Sequence, residues 1–159
     1  MRKRESAVPA CSARALARVL VRDGLVRAEH IVGCTAQEIA EVVESQGSAL
    51  PAEYSAFLAT MGRAAGDMFA GTDCLYPEVL KLREWAIELL DEDGEGFRLP
   101  DDAIVFSMHQ GYTFLYIRTS EGDDPPVYLY REFHSPATRE CERFSEWLEL
   151  AAERFREHR

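Results

Sequence analysis

The sequence contains no asparagine, and lysine occurs only at Lys3 and Lys81, against sixteen arginines. Asn and Lys codons are A-rich, so this bias predicts a GC-rich bacterial genome, which the coding sequence would test. No apolar run approaches the roughly 20 residues that span a bilayer. Behind the basic start Met1-Arg2-Lys3-Arg4, the residues Arg14, Arg18 and Arg22 interrupt the Ala, Leu and Val positions. That pattern offers no h-region of a signal peptide, so a cytosolic location without a membrane partner is expected. None of the cysteines Cys11, Cys34, Cys74 and Cys141 belongs to a C-x-x-C pair. This argues against a zinc knuckle and a thioredoxin-like motif, and predicts reduced thiols packed as small hydrophobes.

The motifs of common catalysts are missing as well. There is no G-x-S-x-G elbow, P-loop, G-x-G-x-x-G, H-E-x-x-H or EF-hand loop. Of the histidines His30, His109, His134 and His158, no two stand at i, i+3 or i, i+4, the spacings that put two ligands on one helical face. His109 reads as an exposed turn residue before it reads as a base. Cys141 with His134 reads as packing or surface before it reads as a nucleophile pair. The doublets Glu92-Asp93, Asp101-Asp102 and Asp123-Asp124 lack the alternate spacing of a calcium loop, so solvated loop charge is the default. Neither a metal nor a cofactor is expected, and an enzyme is not expected.

What is present is a folding chain. Its 159 residues are one domain's length, and 47% hydrophobic with 10% aromatic content is enough to build a core. The charge is uneven. Residues 1–30 carry seven Arg/Lys against three Asp/Glu, whereas residues 31–159 carry eleven against twenty-five, a balance of −14. An acidic body repels nucleic-acid phosphate and suits a basic partner. Charge kept only for solubility leaves the same mark.

Residues 1–11 read as a frayed terminus. Residues 12–22 fit a helix through Ala13, Leu16, Ala17 and Leu20, although Val19-Leu20-Val21 before Asp23-Gly24 would also suit a hairpin. Thr35 and Glu38 form a capping-box pattern opening a helix that Gly47 stops. Pro51 suits a first helical turn, and Tyr54, Phe57, Leu58 and Met61 make a full apolar stripe that Gly62 ends. Gly62, Gly66 and Gly71 mark a Gly-rich connection. A third helix is expected from about Glu78 to Leu90, burying Leu82, Trp85, Ala86, Leu89 and Leu90. Residues 104–108 and 112–117 read as strands around a turn at His109-Gln110-Gly111, and Val127–Tyr130 as a third strand. Both faces of 112–117 are largely apolar, which predicts a covered central strand. A last helix carries Phe144, Trp147, Leu148, Ala151 and Phe155 on one face. Helices, then a meander, then a helix predict an α+β fold with a single antiparallel-rich sheet packed by several helices.

The stretch from Gly33 to about Phe155 resembles the SUKH superfamily of Smi/Knr-like domains. The resemblance rests on residues 33–62 with Leu50-Pro51, Tyr54, Phe57-Leu58 and Gly62. It continues through Gly66, Asp67, Met68-Phe69 and Gly71, then Leu99-Pro100, the hairpin at 104–117, Val127–Tyr130 and Phe144-Ser145-Glu146-Trp147-Leu148. Many members have Asn-Gly after the second helix, where this chain has Met61-Gly62-Arg63. The resemblance implies a domain over residues 33–159 with an N-terminal extension, 1–32. It also implies a non-catalytic protein-binding role, commonly an immunity protein that neutralises a nuclease- or deaminase-type toxin. A regulatory or scaffolding domain with a cytosolic partner is the alternative. For a basic toxin domain, the expected contacts are acids beside turns: Asp67 and Asp73 in the Gly-rich connection, and Glu121, Asp123 and Asp124 between strands.

Overall fold

The Thr35 hydroxyl accepts from the Glu38 N–H at 3.1 Å, and the Glu38 carboxylate accepts from the Thr35 N–H at 2.9 Å. This reciprocal box opens α2 (Ala36–Gln46), which ends at Gly47 with a left-handed φ of 77°. The computed structural model in which this is seen describes residues 12–159, so the expectations for residues 1–11, Cys11 included, lie outside the described residues. Ahead of α2 stand α1 (Ala13–Arg22), capped by Ser12, and the two-residue strand β1 (Ile31–Val32). The helical alternative is thus the one adopted over 13–22, and its Leu16 and Leu20 are buried against α3 and α5.

Pro51 caps α3 (Ala52–Met61), whose stripe Tyr54, Phe57, Leu58 and Met61 is entirely buried. A short strand β2 (Ala64–Ala65) follows and pairs antiparallel with β1. The approach of β1 to α3 needs glycine. A Cβ at Gly33 would lie 1.9 Å from the Ala59 carbonyl oxygen, and one at Gly62 would lie 2.7 Å from the Cys34 Sγ.

The expected helix from Glu78 is two elements, a 3₁₀ turn at Glu78–Lys81 and α4 (Leu82–Asp93). Its buried residues are Leu82, Ala86 and Leu89, while Trp85 is 38% exposed. The expectation that Trp85 is core is therefore corrected. The helix presents the i, i+4, i+7 line to the sheet, and Trp85 falls on its flank.

The main sheet is an antiparallel meander in chain order: β3 (Ala103–His109), β4 (Thr113–Arg118), β5 (Val127–Arg131) and β6 (Thr138–Cys141). The fold is α+β as expected, but the single sheet becomes two, because β1 and β2 form their own ribbon. The β3–β4 turn places Gln110 at φ 54° and Gly111 at φ 80°, the paired positive values of a type I′ turn. A bulge between Val105 and Ser107 shifts the β3 register. On one face, Phe106 packs with Tyr54, Phe144 and Trp147 at ring separations of 4.8–6.0 Å, joining the sheet to α3 and α5 (Phe144–Glu157). On the other, Phe114 stacks on Tyr130 and Tyr116 on Tyr128. In β4, Phe114, Tyr116 and Ile117 are buried, but Thr113 and Leu115 are only half-buried. The face that carries Thr113 and Leu115 is thus less covered at that end than its apolar alternation predicts.

Candidate binding surfaces

The sequence-predicted acids occupy opposite ends of the sheet. Asp73 and Met108 exchange both backbone hydrogen bonds at 2.9 Å, beside the β3–β4 turn. Glu121 and its neighbours follow Arg118, which pairs with Ala103 at the other end of β3. Five residues of strand, roughly 17 Å at ~3.4 Å per residue, separate the two ends. The five acids therefore do not form one surface.

Nor are they equally free. Both Glu121 oxygens accept from the Tyr128 hydroxyl, at 2.9 and 3.0 Å. Asp124 accepts from the Ser145 N–H at 2.9 Å and from its hydroxyl at 2.5 Å, in the first turn of α5. It satisfies an orphan donor at that helix start and suits its positive end. The carboxylates of Asp67, Asp73 and Asp123 have no hydrogen bond or ion pair among the described residues. Asp123 and Asp124 face Glu53 in α3. Burial first, and these two negative charges second, hold the Glu53 carboxyl above its usual range.

A groove of about 540 Å³ opens where Thr113 and Leu115 are half-buried. Its floor is sheet, with Ser107, Leu129 and Arg131; its walls are the 67–72 loop and one face of α5 from Trp147 to Arg154, with His158 just beyond the helix. Arg131 and Arg154 stand there against Asp67 and Glu140, so its charge is mixed. His109 Nδ1 lies 3.4 Å from the Thr72 hydroxyl, a long contact at a solvent-facing site. His134 Nδ1 sits 2.8 Å from the Glu132 carbonyl oxygen rather than on Cys141. Cys34, Cys74 and Cys141 are buried and free. Burial pushes all three thiols up, Cys34 and Cys141 to about 11, so at neutral pH they are protonated and poor nucleophiles. Among the described residues, no group of three or more His, Cys, Asp or Glu side chains converges to hold a metal ion. No described helix is long and apolar enough to cross a membrane.

Two features escaped the sequence reading. One is the groove, whose residues come from five separate segments. The other is a set of exposed aromatics at the Asp73 end: Trp85, Tyr112 and Phe133. For Phe133 a signal existed, because it lies beyond the alternating run of β5, beside His134-Ser135-Pro136, where no strand face can bury it.

Among protein families, the model for the SMI1 / KNR4 family (SUKH-1) matches residues 33–150. No curated protein matches the chain significantly.

Proposed function

Because the chain belongs to the SMI1/KNR4 family (SUKH-1), we propose that it is a non-catalytic protein-binding domain of the immunity type. It would act in the cytosol by binding and neutralising a basic, nuclease- or deaminase-type toxin domain. The family is generally non-catalytic and commonly serves in immunity, which supports the class of function. The observation that carries the mechanism is the charge. Residues 31–159 hold a balance of −14, and Asp67, Asp73 and Asp123 present carboxylates unpaired among the described residues. A toxin directed at nucleic acid must offer a basic surface to phosphate. An acidic body speeds encounter with that surface and blocks it once bound.

The test is co-expression with a toxin encoded beside this gene. Rescue is expected, with association slowing as salt rises. Asp67→Ala with Asp73→Ala, or Asp123→Ala, should slow association further. Glu121 and Asp124 are poorer probes, since Asp124 also holds the start of α5. Rescue indifferent to every acidic change removes the contact assignment. Failure to bind any neighbouring gene product moves the reading to a regulatory or scaffolding domain.

A further inference from the structure

The exposed flank of α4, the β3–β4 turn and the β5–β6 loop meet at one end of the molecule. Trp85, Glu88, Leu89 and Glu92 lie at i, i+3, i+4 and i+7, and line a depression of about 240 Å³ together with Asp73, Met108 and Gly111. The neighbouring loop is tied to this flank. The Phe133 N–H donates to Asp93 Oδ2 at 3.0 Å, one residue beyond Glu92, and the Glu132 N–H donates to the Tyr112 carbonyl oxygen at 2.8 Å. Three aromatic side chains stand in water on these segments: Trp85 on the rim of the depression at 38% exposure, Tyr112 next to Gly111 at 42%, and Phe133 in the tied loop at 64%.

We propose that this end is where the partner docks, and that the partner brings to it a cationic, arginine- or lysine-bearing protein segment. The proposal rests on the protein-binding reading above and adds the place and the chemistry. Charge complementarity selects the occupant. The depression is bordered by Asp73, Glu88 and Glu92 and by no cation, and none of the three is ion-paired among the described residues. Aromatic faces beside free carboxylates are what a guanidinium or ammonium group recognises, by cation–π attraction and by charge-assisted hydrogen bonds. The opposite acidic loop lacks this pairing. Glu121 and Asp124 are engaged at home, and no large hydrophobic side chain is exposed between residues 119 and 126.

The backbone supports the same assignment. Phe133 has φ 64°, a left-handed conformation that is costly for a bulky residue. The Asp93 carboxylate holds it in that state, and the ring gains little burial in return. A side chain displayed at backbone cost and fixed by the end of a helix is preorganised for contact.

An oligoarginine peptide is the probe, with oligoglutamate as control, titrated into the full chain at low salt and followed by NMR. Resonances of the Trp85 indole, Tyr112 and Phe133 should move, and those of residues 119–124 should not. Trp85→Ala and Phe133→Ala should each weaken binding roughly threefold to tenfold. Both side chains are exposed, so melting curves should show each variant folded. Shifts centred on 119–124, unchanged affinity in both variants, or no oligoarginine binding at all would overturn the proposal. Self-association of the chain lost in Phe133→Ala would overturn it too, giving the face to a second copy. Toxin rescue that persists through any of these results leaves the protein-binding reading standing and removes only this face. Loss of rescue with intact oligoarginine binding removes toxin neutralisation and leaves this face to the partner of a regulatory or scaffolding domain.

Discussion

Gln46, the last residue of α2, grips the backbone of Val105 with both ends of its side-chain amide. Its nitrogen donates to the Val105 carbonyl at 2.8 Å, and its oxygen accepts from the Val105 N–H at 2.9 Å. The glutamine thereby imitates a neighbouring strand at the outer edge of β3. Arg83 donates to the Ala103 carbonyl on that edge, and Asp73 exchanges backbone bonds with Met108. A strand edge left open would template pairing with another chain; this one is closed by two side chains and one backbone segment. Gln46→Leu would strand two buried backbone groups. Urea denaturation should show a loss of about 2–4 kcal/mol, and a loss below about 0.5 kcal/mol would mean that Val105 finds other partners.

Two aromatic truncations should separate sharply. Phe57 is 1% exposed among Tyr54, Phe69 and Phe144, so Phe57→Ala should cost about 3–5 kcal/mol through the cavity it leaves. Trp85→Ala, on the open flank of α4, should cost no more than about 1 kcal/mol. Equal costs in denaturant would place Trp85 back in the core.

Acid should find a weak point at Asp102. Burial alone would raise its carboxyl, but hydrogen bonds from Ser120 and the Arg118 guanidinium outweigh it and lower the pKa to about 2. A depressed carboxyl adds stability that is complete above its unfolded value near 4 and fades as pH falls through the folded value. Between pH 4 and pH 2 the wild type should therefore lose about 1–2 kcal/mol from this site. Asp102→Asn should be less stable at neutral pH and flatter across that window. Parallel acid curves would refute the assignment.

Glu53 runs the other way. Its pKa is raised, so the native state holds the proton more tightly than the unfolded chain, and stability falls as pH rises through its titration. Glu53→Gln should raise the melting temperature at pH 7, where the wild type carries the penalised charge beside Asp123 and Asp124. Near pH 3, where the carboxyl is protonated in both states, the two proteins should melt alike. A lower melting temperature at pH 7 would show that the charge is worth more at the start of α3 than it costs beside its neighbours.

The sequence by itself determined α2, α3 and the β3–β4 hairpin, because their signals are local. The Thr35–Glu38 box closes within one helical turn, the Tyr54–Met61 stripe needs only the 3.6-residue period, and the Gln110-Gly111 turn is set by its own backbone angles. The tertiary structure alone decided which line of α4 was buried. Leu82-Ala86-Leu89 and Trp85-Leu89 are both apolar lines on a helix, and only the position of β3 chooses between them. β6 was equally invisible, since Thr-Arg-Glu-Cys has no strand-like alternation and becomes a strand by pairing with β5. The acids followed the same division. Their number was legible in the sequence, but whether each was spent on a helix start, on a tyrosine hydroxyl or left facing water depended on partners up to 21 residues away. No periodicity within one element reaches that far.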